Sequence, residues 1–119
     1  VLDHCAKPPI ASGHLTQWQR DLAALARHDH VTCKLSGLVT EAHWSAWTPA
    51  QITRCLDVAA DCFGAERLMF GSDWPVCLLA ASYARVADVV RTWMAGCTAV
   101  ERAAIEGQTA VQVYRLGLP

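Results

Sequence analysis

The chain has 119 residues, room for one domain of ordinary size, and its 53% hydrophobic and 18% charged content exclude a disordered polypeptide. A formal net charge of −1 with scattered Lys and Arg offers no basic stripe for nucleic acid or an anionic membrane surface. No apolar run approaches the roughly 18 residues of a membrane span, so a soluble, cytoplasmic protein is expected. The six cysteines (Cys5, Cys33, Cys55, Cys62, Cys77, Cys97) sit in apolar or helical-looking segments without a CxxC pair. They read as reduced and mostly buried rather than as a disulfide framework.

In chain order, Val1-Leu2 is a first strand-like run that ends at Asp3-His4. The chain opens inside this apolar run, as a piece cut from a longer sequence would. A turn-rich segment, Lys7 to Gly13, leads to Leu15, Trp18, Leu22, Leu25 and Ala26 at helical spacing. The second run is Val31 to Leu35, closed by Ser36-Gly37. A long connection with Glu41, His43, Trp44 and Trp47 reaches Thr48-Pro49-Ala50-Gln51, a helix start with cap, proline and reciprocal Gln. Ile52, Cys55, Leu56, Ala59 and Phe63 form that helix's apolar face, and Gly64 is its stop.

The third run, Leu68 to Phe70, delivers Gly71-Ser72-Asp73-Trp74-Pro75. Gly71 permits close backbone approach at the strand end, and Asp73 is presented at the C-terminal mouth of a core strand. Parallel α/β folds place their chemistry there; the plain alternative is an Asp that caps a βα loop. Tyr83, Val86, Val90, Trp93 and Met94 mark a third helix. Thr98 to Glu101 is a second capping box, opening a helical tail through Tyr114. Short apolar strands alternating with helices imply a parallel sheet wrapped by helices. Three strands are few for such a sheet, so the fold is expected to be incomplete, with uncovered surfaces that promote self-association.

Asp3-His4 with Lys7-Pro8, then Cys33-Lys34-Leu35-Ser36-Gly37-Leu38, then Leu68 through Cys77 with its GSDWP core, resembles the C-terminal part of the amidohydrolase superfamily. The branch it is most similar to holds sugar lactonases and 2-pyrone-4,6-dicarboxylate lactonase. Ile105 to Ala110, with Tyr114 and Leu116, looks like the helix that closes such barrels. The resemblance implies a partial (β/α)8 TIM barrel, with about three C-terminal βα units and a C-terminal helix, residues 1–119 being the C-terminal part of one barrel domain. Its strands would then be the sixth, seventh and eighth. The family's first-strand His-x-His pair is missing; His28 and His30 share the spacing but lie at a helix-to-strand junction. Little or no activity is therefore expected of the isolated chain.

Lactone hydrolysis needs a base for water, an electrophile on the carbonyl oxygen and an acid for the leaving group. By resemblance Asp73 is the water-activating aspartate and also a metal-ligand candidate. His4, at a strand end, is the second catalytic and metal-ligand candidate; its plain reading is a buried histidine bonded to backbone, with Asp3 behind it. Lys34 suits either a substrate carboxylate or a structural ion pair. Trp74 is a pocket wall or simple packing, and Glu41 and Trp44 lie on a loop of the kind that sets specificity. His14, His28 and His30 read as surface residues. A divalent metal, Zn or Mn, and a metal-independent site both remain open, since His4 and Asp73 make two ligands where catalytic zinc usually takes three from protein. The expected activity is hydrolysis of a small-molecule sugar or dicarboxylate lactone. The alternatives are a nonoxidative decarboxylase of the same superfamily and a catalytically silent half-barrel.

Overall fold

Two short apolar runs pair in the computed structural model, which describes residues 1–117; positions 118 and 119, assigned above to the same domain, lie outside the described residues. Strand β1 (Cys33–Leu35) lies parallel to β2 (Leu68–Phe70), with Cys33 opposite Leu68, Lys34 opposite Met69 and Leu35 opposite Phe70. The expected first strand is reduced to one bridge. Leu2 donates to Thr32 O at 2.8 Å and accepts from Lys34 N–H at 2.9 Å, on the side of β1 away from β2. Extension stops there because the backbone enters the left-handed region at His4 (φ 54°). Among the described residues the sheet therefore has two strands rather than three.

Helix α1 (Thr16–Ala26) buries Trp18, Leu22 and Ala26. Helix α2 (Pro49–Phe63) forms as its local signals dictate. The Thr48 hydroxyl accepts from Gln51 N–H, the Gln51 side chain accepts from Thr48 N–H, and Gly64 ends the helix at φ 71°. Its buried stripe is Ile52, Cys55, Leu56, Ala59 and Phe63, which packs against α1, β1 and β2. Helix α3 (Tyr83–Trp93), capped by Ser82, adds Val86 and Val90 to the same core.

The expected single helical tail is broken into three segments. Helix α4 (Ala99–Ala103) starts at the Thr98–Glu101 capping box, a π-turn spans Ala104–Gln108, and α5 (Thr109–Tyr114) follows. The widened turn keeps Ile105 in the core while the buried Thr109 hydroxyl donates to Glu66 O at 3.2 Å, so tertiary anchoring overrides regular winding. No helix among the described residues is long and apolar enough to cross a membrane.

The six cysteines are free; Cys5, Cys33, Cys55 and Cys77 are buried. Burial pushes the Cys55 thiol up to about 11, and the Cys33 thiol together with burial holds Cys5 well above the usual range.

Candidate active site

The site is built where Leu2, β1 and β2 end together. After Leu2 the chain makes a left-handed turn of four consecutive L-residues, His4, Cys5, Ala6 and Lys7, with φ between 50° and 57°. Such a turn costs roughly 1–2 kcal/mol per residue, because Cβ crowds the following carbonyl. The fold supplies compensating contacts. Cys5 is fully buried, its carbonyl accepts from Trp18 Nε1 at 2.7 Å, and its thiol donates to Lys34 O at 3.3 Å. Lys7 N–H closes the turn on His4 O at 2.8 Å. Ala6 is exposed, so its methyl group contributes little to the core. Replacing it by glycine, Ala6→Gly, is expected to raise unfolding free energy by about 1 kcal/mol. A urea midpoint that falls instead would show that the turn is not strained.

The turn aims the His4 ring inward. Its Nδ1 lies 2.7 Å from Ser36 Oγ, and its Nε2 faces Asp73 Oδ1 at 3.7 Å. That second distance is too long for a direct hydrogen bond. It is shorter than the sum of two ordinary zinc–ligand bonds, about 4.2 Å, so the pair fits one divalent ion held between them. Among the described residues no group of three or more His, Cys, Asp or Glu side chains converges, so further ligands would have to come from other strands. Asp73 itself has φ 57°, and its side chain is only 15% exposed. Positive φ at a residue just past a strand end is what turns the carboxylate back toward His4.

Two glycines make the room. A Cβ on Gly37 (φ 63°) would stand 2.6 Å from the His4 ring, and one on Gly71 would stand 3.0 Å from Ser36 Cβ. Close backbone approach at Gly71 was expected from sequence; the role of Gly37 and Ser36 was not. Strand alternation held a signal for Ser36, since it shares a face with Lys34 and ends the strand beside His4.

The other candidates do not converge on this pair. Asp3 was assigned behind His4, but its carboxylate lies 2.9 Å from Lys34 Nζ; Ser36 is the partner of the His4 ring. The reason is again the left-handed turn, which swings His4 away from its neighbour. Hydrogen bonding to Asp3 and then to Tyr114 raises the Lys34 pKa, and the Tyr114 ring lies 5.6 Å from its ammonium. Glu41 is tied to the site through Lys7, at 2.6 Å. That carboxylate raises the Lys7 pKa, with a smaller contribution from Asp73. Trp44 is half-exposed, donates to Thr40 O at 3.0 Å and lines a surface depression with His43 and Leu79. Trp74 is 64% exposed and lies outside the buried core. Trp47, by contrast, is buried and donates to Ala80 O. His14, His28 and His30 are exposed.

The chain is 50% identical to an L-fucono-1,5-lactonase of Burkholderia multivorans, covering 100% of this chain and 44% of that protein. A crystal structure of an amidohydrolase from Burkholderia multivorans with bound zinc superposes with a TM-score of 0.94 at 51% identity, over 97% of this chain and 43% of that one. A proposed 2-pyrone-4,6-dicarboxylic acid hydrolase from Pseudomonas putida superposes at 0.76 with 26% identity, over 98% of this chain and 43% of that one. The chain thus spans less than half the length of these relatives. The amidohydrolase family model matches residues 1–116, strand ends and GSDWP segment included, and the chain belongs to the amidohydrolase family.

Proposed function

We propose that this chain is the C-terminal arc of a (β/α)8 barrel that hydrolyses a small-molecule lactone, with Asp73 and His4 as its share of the active site. The observation that supports this most is the facing of His4 Nε2 and Asp73 Oδ1 across 3.7 Å, from the ends of the two segments that flank β1. A sugar lactone of the L-fucono-1,5-lactone type is the favoured substrate, by likeness to the lactonase relative.

In this reading Asp73 takes a proton from water as the water oxygen bonds to the lactone carbonyl carbon. His4 holds the reacting oxygen from the opposite side of the gap. The tetrahedral intermediate then collapses, the ring C–O bond breaks, and the leaving oxygen takes the proton from Asp73 to give a hydroxy acid. A divalent ion such as zinc, held by His4 and Asp73 together with groups from other strands, would polarise the carbonyl and acidify the water. Trp74, Trp44 and Glu41 are proposed to line the substrate's approach, with Lys7 fixed by Glu41, and Lys34 to lie below them.

A cleft of about 290 Å³ beside β2, lined in part by Phe70, Tyr83, Val90 and Met94, is proposed to receive the remaining barrel elements. Without them the isolated chain is expected to be inactive and to self-associate. The test is constant-pH titration of the full-length gene product with L-fucono-1,5-lactone and 2-pyrone-4,6-dicarboxylate. One equivalent of acid per lactone, without CO2, is the expected result. Release of CO2 from a carboxylated substrate, with no lactone opening, would replace this reading by decarboxylation.

A further inference from the structure

We infer that Ser36 is a positioning residue for the reaction, fixing the His4 ring so that Nε2 and no other atom faces Asp73. This rests on the lactonase reading for its kinetic consequence but not for its structural content. Ser36 is 5% exposed and its Oγ lies 2.7 Å from His4 Nδ1, while the His4 side chain is about one-third exposed. A histidine ring has two nitrogens, and the bond made by one decides the direction and protonation of the other. With Nδ1 engaged by the hydroxyl, only Nε2 is left to act in the gap.

The surroundings hold Ser36 and His4 in one arrangement. The His4 ring lies against Gly37, where an added Cβ would stand 2.6 Å from both Cγ and Nδ1. Gly71 leaves the space into which the Ser36 Cβ fits, with 3.0 Å to an added methyl. The Cys5 thiol bond to Lys34 O and the Trp18 bond to Cys5 O fix the backbone on either side. Ring, hydroxyl and two glycines therefore form one packed stack between the strand ends. The order Ser36, His4, Asp73 superficially matches a nucleophilic triad. The burial of Ser36, 5% exposed, argues against that role, since a nucleophile must be open to the substrate carbonyl.

The test combines ring 15N NMR with kinetics on the full-length gene product, His4 being assigned by the spectrum of His4→Gln. Wild-type protein is expected to show one tautomer of His4, displaced from the free-imidazole mixture. Ser36→Ala is expected to return the ring toward that mixture. Its kcat should fall about ten- to a hundred-fold with KM little changed, the usual scale for losing a group that orients a histidine. Ser36→Thr, which keeps the hydroxyl, should restore both readouts in large part. A wild-type ring already at the free-solution ratio overturns the inference, and so does a Ser36→Ala protein with unaltered His4 shifts. Absence of lactone turnover in wild type would defeat the lactonase reading alone, since the ring spectra still report on Ser36.

Discussion

Asp73→Asn is expected to lower lactone turnover by about 10³-fold, the middle of the range for loss of a general base. The amide keeps the size of the carboxylate but cannot take a proton from water. Asparagine is also among the few residues that tolerate positive φ, and Asp73 sits at φ 57°. The variant should therefore fold normally, and its thermal midpoint should stay within a few degrees of wild type. That separates chemistry from structure, which a truncation to alanine at this backbone position would not. Titration of acid release with saturating lactone measures it. Retention of a third or more of wild-type kcat would remove Asp73 from the reaction.

The largest effect on stability is expected at Arg67, far from the strand mouths. Its Nη1 donates to Ala26 O, His28 O and Val31 O at 3.0 to 3.2 Å, and its Nε donates to Phe63 O at 3.1 Å. These carbonyls lie at the ends of α1 and α2 and in the turn that enters β1, where helix ends leave acceptors to be satisfied. The guanidinium also lies 5.2 Å from the Phe63 ring centre. One side chain thus closes two helices onto the strand that follows it. Because three acceptors share one nitrogen, about two full charge-assisted bonds is a fair count, at roughly 1.5–3 kcal/mol each. Arg67→Met should then cost about 3–6 kcal/mol in urea unfolding, while Arg67→Lys recovers only part because a lysine lacks the planar fork. A loss below about 1 kcal/mol would show that water replaces these bonds without penalty.

What the sequence revealed depended on whether its cause was local. Helix α2 was legible end to end, since Thr48, Pro49, Gln51 and Gly64 act within one turn of the backbone they cap. Strand β2 was legible because Leu68 to Phe70 is a short apolar run closed by glycine. The left-handed turn at His4 to Lys7 was not, for it contains no glycine, and distant groups such as Trp18 and Lys34 hold it. That one turn also accounts for the shortened first strand and the pairing of Asp3 with Lys34 rather than support of His4. The π-turn at Ala104–Gln108 escaped for a similar reason: Thr109 is anchored on Glu66, which is distant in sequence. The role of Arg67 was not legible, because its acceptors lie on other segments of the chain. His4 and Asp73 were singled out at strand ends, and the structure brings their side chains to 3.7 Å of each other. Ser36 looked like a turn residue, and only the ring beside it gives it a different meaning.

His4 and Asp73 are expected to act as one unit across their 3.7 Å gap. A double-mutant cycle in kcat/KM on the full-length gene product tests it most directly, with His4→Gln, Asp73→Asn and both together. Residues that act as a unit are strongly non-additive. The double variant is predicted to be no slower than the slower single variant, within about threefold. Losses that simply multiply would mean that the two side chains contribute separately, and the paired-site account would be wrong.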